Sequence, residues 1–206
     1  MVILSGLLGA TAPALSEESS GSLLNSERIE QRFGSYGIKV MQQDEQVRVA
    51  SLYSLESSIR VTRTFAVTRF PDSIDPRLAS QHEKILSGGS IGAVFTDAGW
   101  EVSRRHLWLG ELPATAGIRS MMGDTESGRL AVNIFDLVLS RDGERRVYAS
   151  ITEVHHPDHL TLSDLEQLYS PIAVDHGDRA AELLMLTLNR VLQLQVPDDR
   201  GDSTSN

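Results

Sequence analysis

The dipeptide Asp142-Gly143 lies between two runs of strand-forming residues and constrains the fold more than any other feature of the sequence. Both residues tolerate the positive φ angles of a type I′ turn, so the pattern predicts a two-residue β-hairpin. The hairpin and the segment after it span Leu130 to His159. Its turn fixes a register in which Arg141 pairs with Glu144.

Polar side chains interrupt the apolar pattern of this hairpin at Asp136, Glu153 and His155. Uninterrupted pairing from the turn places all three on one face of the sheet. Glu153 and His155 are about 6 to 7 Å apart at ~3.3 Å per residue, which allows them to share a ligand or a water. We predict that they form a general acid–base pair; the alternative is a polar strand end in solvent. Asp136 lies on the order of 13 Å away, too far for a carboxylate dyad.

An earlier strand is predicted over residues 59–70, where apolar and polar residues alternate. Arg63 lies in the middle of this strand and shares the parity of the apolar residues. A buried arginine needs a partner. We therefore predict that Arg63 binds an anion in a pocket, with a salt-bridged structural role as the alternative.

A further strand is predicted over residues 100–111, with Arg104, His106 and Trp108 on one parity. Tryptophan supplies apolar area and arginine binds carboxylates through two donors, so this face suits an anionic or ring-bearing ligand. We assign Arg104 and Trp108 to ligand binding and His106 to catalysis. The alternative is a structural strand whose tryptophans pack beneath a covering loop.

Histidines 155, 156 and 159 lie close together in the sequence, with Asp158 between the last two. Their spacing matches neither the helical zinc motif of metalloproteases nor a zinc finger. Pro157 disfavours a helix that would place His155 and His159 on one side. The chain has no cysteine, which excludes thiolate ligands and disulfides. We predict no metal site and no cofactor.

The element order predicts an α+β fold, with a single antiparallel or mixed sheet of about five to six strands and helices packed mainly on one face. The last helix, about residues 178–195, is apolar nearly all round, so it either covers the sheet or forms a homodimer interface. The connection over residues 112–129 is long enough for a binding loop.

Three regions are predicted along the chain. Residues 1–22 contain an apolar run followed by Ala12-Pro13-Ala14, which indicates a signal peptide and a flexible start; an ordinary disordered start is the alternative, because no basic residue precedes Arg28. Residues 23–196 form one α+β domain, and residues 197–206 form a disordered acidic tail. We therefore expect a periplasmic or secreted protein, with a cytoplasmic one as the alternative.

The formal net charge of -9 argues against a nucleic-acid partner. The N-terminal apolar run is shorter than the roughly 20 residues that span a bilayer, so no integral membrane span is expected. Two functional hypotheses follow. The first is an exported module that binds a small anionic ligand or a protein partner. The second is a cofactor-independent lyase or hydrolase with an Arg/His/Glu pocket.

Overall fold

The computed structural model describes residues 23–122, 128–169 and 177–195. They form one six-stranded antiparallel sheet, which confirms the α+β class. The strands lie in the order β1-β2-β3-β6-β5-β4, so two consecutive three-stranded groups meet where β3 pairs with β6. The strands are β1 (Gly37–Gln43), β2 (Val47–Glu56), β3 (Ile59–Arg69), β4 (Glu101–Pro113), β5 (Arg129–Arg141) and β6 (Glu144–His155).

Six α-helices and one 3-10 turn, Pro76–Leu78, accompany the sheet in the described part of the chain. Helices α1, α2, α3 and α5 pack against one side of the sheet, which we call the α1 face. Helices α4 and α6 pack against the other side, the α6 face. The helices are α1 (Asn25–Phe33), α2 (Ala79–Leu86), α3 (Ile91–Asp97), α4 (Ala116–Met122), α5 (Leu162–Tyr169) and α6 (Gly177–Gln195).

The hairpin between β5 and β6 turns at Asp142 and Gly143, as the sequence predicts. Both residues have positive φ angles, 54° and 79°, and Arg141 pairs with Glu144. Only residues that tolerate the left-handed region support this turn without strain, so the local sequence determines it.

A β-bulge at Tyr148 shifts the register of the same hairpin beyond Val138. Asp136 consequently pairs with Ser150 rather than with Ala149. The expectation that Asp136, Glu153 and His155 share a face is therefore wrong, because a shift of one residue exchanges the two faces. Glu153 and His155 lie on the α1 face and Asp136 on the α6 face.

Asp136 instead connects α6 to the sheet. The side chain is fully buried and forms ion pairs with Arg105 of β4 and Arg179 of α6. Ser150 donates a further hydrogen bond to Asp136, at 2.7 Å. Because a buried carboxylate is costly without such partners, this group fixes the start of α6 over the sheet.

Within the expected long connection over residues 112–129, most of the described residues belong to strands and a helix. Strand β4 continues to Pro113, α4 occupies Ala116–Met122, and β5 begins at Arg129. Helix α4 contributes Ile118 and Met122 to the core of the α6 face. The predicted signal segment and acidic tail lie outside the described residues. No described helix combines the length and the apolar character needed to cross a bilayer.

Candidate functional site

A cavity of about 90 Å³ lies on the α1 face, between the sheet and the first turns of α1 and α3. Its floor includes Ala50 and Ala66 on the neighbouring strands β2 and β3. These small side chains leave space that larger residues would fill. The remaining floor comes from Phe135, Leu137 and Ile151, so the lining is largely apolar.

Glu153 of β6 places a carboxyl group at this cavity, and the residue is only 7% exposed. Its Oε1 accepts a hydrogen bond of 3.2 Å from the side-chain amide of Asn25. Burial raises the pKa of Glu153, and the positive charge of nearby Arg104 opposes part of that rise. A carboxyl group of this kind can hold or release a proton closer to neutral pH than an exposed glutamate.

Asn25, the first residue of α1, joins Glu153 to two histidines. Its amide nitrogen also donates to Thr64 Oγ1 at 3.1 Å, and its oxygen accepts from His159 Nε2 at 2.8 Å. Thr64 Oγ1 lies 3.1 Å from His155 Nδ1, so the hydroxyl that accepts from Asn25 can donate to His155. We call this buried group, from His159 to Glu153, the Asn25 network.

The two histidines of the Asn25 network are neutral at pH 7. Burial lowers the pKa of His155 well below its usual value, and nearby His159 and Arg104 lower it further. Burial and the charge of Arg32 lower the pKa of His159 to about 4. His155 Nε2 lies 3.8 Å from Glu153 Oε2. The two neutral imidazoles therefore contribute hydrogen bonds to the network but no positive charge.

Arg104 and His106 of β4 lie on the α1 face, as predicted. Arg104 is 6% exposed and lines the cavity with Glu153. His106 stands beside the cavity rather than in its lining. Its Nδ1 lies 3.0 Å from Asn133 Oδ1, and its ring stacks on Tyr169 at 4.2 Å between centroids.

Arg63 lies away from the cavity, at the opposite end of α1. It has no pairing partner in β2, because a bulge in β3 leaves it between two paired residues. This bulge turns Arg63 toward the α1 face, where its guanidinium lies 3.7 Å from the ring centroid of Phe33. Ser54 and Glu56 accept hydrogen bonds from it. Phe33 is eight residues from Asn25, about 12 Å along the helix.

Trp108 lies on the α6 face, so the expectation that it shares a face with Arg104 and His106 is wrong. A bulge at Leu107 shifts β4 by one residue, so Trp108 pairs with Ile134 and packs against the core beneath α6. The structure thus brings together Arg104, Glu153 and His155, with His106 adjacent. Arg63 and Trp108 are elsewhere.

The polar lining residues that were not predicted as site residues include Asn25, Tyr36 and Arg48. Asn25 lies at the start of α1, and its side chain forms long-range hydrogen bonds within the network. Arg48 could have been selected from the sequence pattern. It lies near the start of β2 and shares the parity of Ala50 and Leu52, and a shared parity with apolar residues was part of the criterion that selected Arg63.

The described residues contain no group of three or more histidine, aspartate or glutamate side chains arranged to hold a metal ion. His155 and His159 have ring centroids 5.8 Å apart, but Asn25 and Thr64 occupy one nitrogen of each ring. The polar groups of this site are therefore arranged for hydrogen bonding.

Comparison of the sequence with protein-family models and with curated proteins gives no match. Any functional assignment therefore depends on the residues and their geometry.

Proposed function

We propose that the chain binds a small ligand in the cavity between α1, α3 and the sheet. This proposal is based on one observation. A buried carboxyl group, from Glu153, and a buried guanidinium, from Arg104, both line one largely apolar cavity. Ligand sites typically combine a concave apolar lining with a few oriented polar groups. Since an apolar void of about 150 Å³ accommodates benzene, the 90 Å³ cavity suits a group of a few heavy atoms.

The test is thermal unfolding in the presence of propanol, propanamide or propanoate. Ligand that binds only the folded chain raises its melting temperature. We expect at least one compound to stabilise the wild-type chain and to lose this effect in Ala66→Val, whose added methyl groups enter the cavity. Ala93→Val, on the exposed side of α3, is the matched control and should respond like the wild type. Equal stabilisation of all three proteins would contradict binding in the cavity.

The second candidate is a cofactor-independent hydrolase or lyase that uses Glu153 as general acid–base. The raised pKa of Glu153 favours it, because such a group can exchange a proton with a bound substrate. Glu153→Gln keeps an acceptor for Asn25 but cannot exchange the proton. We expect it to abolish turnover of short acyl esters. Turnover that survives this substitution would exclude the enzymatic role of Glu153.

Association with a protein partner would use α6, and the simplest partner is a second copy of the chain. Met185 and Leu192 are 57% and 60% exposed and lie seven residues apart, on the same side of the helix. We expect a dimeric mass by light scattering and a monomeric one for Met185→Glu/Leu192→Glu. A monomeric mass for the wild type excludes this interface.

Export is the accompanying proposal for location, and it rests on the apolar run and Ala12-Pro13-Ala14. N-terminal sequencing of the protein recovered from expressing cells tests it. We expect the mature chain to begin shortly after Ala14, and an intact start would contradict export.

A further inference from the structure

Arg48 is the most deeply buried charged residue that lines the cavity. It lies on β2, where Val47 and Val49 point to the α6 face and Arg48 and Ala50 point to the α1 face. The residue is 1% exposed. Its guanidinium is therefore shielded from solvent and lies beneath α2 and α3.

Arg48 satisfies only part of its hydrogen-bonding capacity within the described residues. Nη1 donates to the carbonyls of Ile85 and Gly89, at 3.1 and 2.8 Å, at the end of α2. Nε and Nη2 are buried and have no hydrogen-bond partner in the described part of the chain. No described carboxylate forms an ion pair with Arg48.

The ionisable groups around Arg48 do not balance its charge. The groups that interact with its charge are Tyr36 and Tyr148, and burial raises the pKa of both phenols, so both are neutral at pH 7. Glu153 is hydrogen bonded to Asn25 and lies on β6, which β3 separates from the strand of Arg48. Arginine keeps its proton in proteins, so Arg48 is a buried cation that lacks a counter-ion among the described residues.

We infer that the ligand of this cavity is a small monocarboxylate whose two oxygens accept hydrogen bonds from Nε and Nη2 of Arg48. This inference rests on the proposed ligand-binding function. Nε and Nη2 form one edge of the guanidinium, and such an edge matches the two oxygens of a carboxylate. Because both nitrogens are buried, binding includes a rotation of the guanidinium toward the cavity that Arg48 lines.

The cavity favours a carboxylate over a larger anion. Its volume of about 90 Å³ and its lining by Ala50, Ala66 and Ile91 suit a short aliphatic chain. A phosphate ester presents more oxygens than one free guanidinium edge can satisfy. Arg104 adds a second positive charge, and Tyr36 adds a hydroxyl group at the same cavity.

The experiment measures binding of propanoate and of its neutral isostere propanamide by NMR of the full chain, with the Arg48 Nε–Hε signal as the direct readout. A hydrogen bond to a charged group is strong enough that we expect propanoate to bind about tenfold more tightly than propanamide. Only propanoate should shift the Arg48 signal.

Arg48→Lys keeps the charge but lacks the two-donor edge, so we expect propanoate affinity to fall about tenfold and propanamide affinity to stay the same. Arg60→Lys is the matched control on the exposed end of β3 and should bind like the wild type.

Three results overturn the inference. If propanamide binds as tightly as propanoate, the cavity binds ligands without selecting a carboxylate, and only the inference fails. The same holds if propanoate binds without shifting the Arg48 Nε–Hε signal of the wild type, a measurement that does not depend on the folding of any variant. If propanol, propanamide and propanoate all fail to bind, the inference and the proposed function fail together.

Discussion

Asn25 determines how the residues around Glu153 are held. One amide side chain donates to Glu153 and Thr64 and accepts from His159, so α1, β3, β6 and the segment before α5 meet at a single group. A buried network of this kind specifies one arrangement only while each member keeps its protonation state. The low pKa of His159 keeps its imidazole neutral near neutral pH.

His159 makes stability depend on pH in a defined direction. Its folded pKa of about 4 lies below the ordinary 6.5, so the unfolded chain binds more protons between these values. The contribution of His159 to the free energy of unfolding is therefore fully present above pH 6.5 and is lost as the pH falls toward and below 4. This contribution is on the order of 3 kcal/mol. His155 acts in the same direction, and Glu153, whose folded pKa is raised, acts in the opposite one.

Urea unfolding of the wild type and of His159→Gln across this pH range measures the contribution. Glutamine can still donate to Asn25 but does not titrate. We expect the free energy of unfolding of the variant to fall less steeply on acidification. Identical pH slopes in the two proteins would show that His159 does not carry the dependence.

At the scale of elements, bulges decide which side chains reach the cavity. The bulge at Leu107 sends Trp108 to the α6 face, and its indole then lies against Gly110. A Cβ at Gly110 would overlap Trp108 Cζ2, so the close approach requires glycine. The bulge and this glycine together allow the indole to pack against the core beneath α6.

Gly110→Ala should therefore destabilise the chain by about 1 to 3 kcal/mol, because the indole must leave its packed position. Gly128→Ala is the matched control, since no heavy atom lies within 4 Å of the Cβ it would add. Chemical denaturation of both variants measures the difference. Comparable losses would mean that the contact with Trp108 is not the cause.

At the scale of the whole molecule, the ladder between β3 and β6 connects the two halves of the sheet. It runs from the pair Thr64–His155 to the pair Arg69–Ser150. Val154, fully buried, pairs with Phe65 at this junction and contributes to the core beneath α6. Side chains at the junction therefore support both three-stranded groups at once.

Val154→Ala should cost about 2 kcal/mol, from lost burial of two methyl groups and the cavity left behind. Val147→Ala makes the same change on the same strand, where the side chain is 41% exposed, and should change stability by less than about 0.5 kcal/mol. We expect a single unfolding transition with a lowered midpoint for Val154→Ala. Equal effects of the two substitutions would argue against a special role for the junction.

Much of this architecture follows from local sequence, but the face of the sheet that each strand residue occupies does not. The Asp142-Gly143 turn and the pairing of Arg141 with Glu144 follow from the backbone angles that those turn residues allow. The bulges at Leu107 and Tyr148 have no comparable residue signature, yet each exchanges the faces of the residues beyond it.

The candidate site was also predictable only in part, because local sequence selects polar residues within strands but does not determine how the elements pack. Arg104 and Glu153 were selected as polar residues within strands, and both line the cavity. Asn25 could not be selected, because its long-range contacts depend on where α1 packs. The cavity itself depends on the absence of large side chains at Ala50 and Ala66, a property of the packed sheet rather than of either strand alone.

The position of the cavity over the junction has a consequence for internal motion. Its floor takes Ala66 and Thr68 from β3 and Ile151 and Glu153 from β6, so an occupant would contact both halves of the sheet. Separation of the halves would then require release of that occupant. Amide hydrogens of the β3–β6 ladder should therefore exchange with solvent more slowly as the occupant's concentration rises. The exchange rates of these amides would then report how tightly the occupant binds.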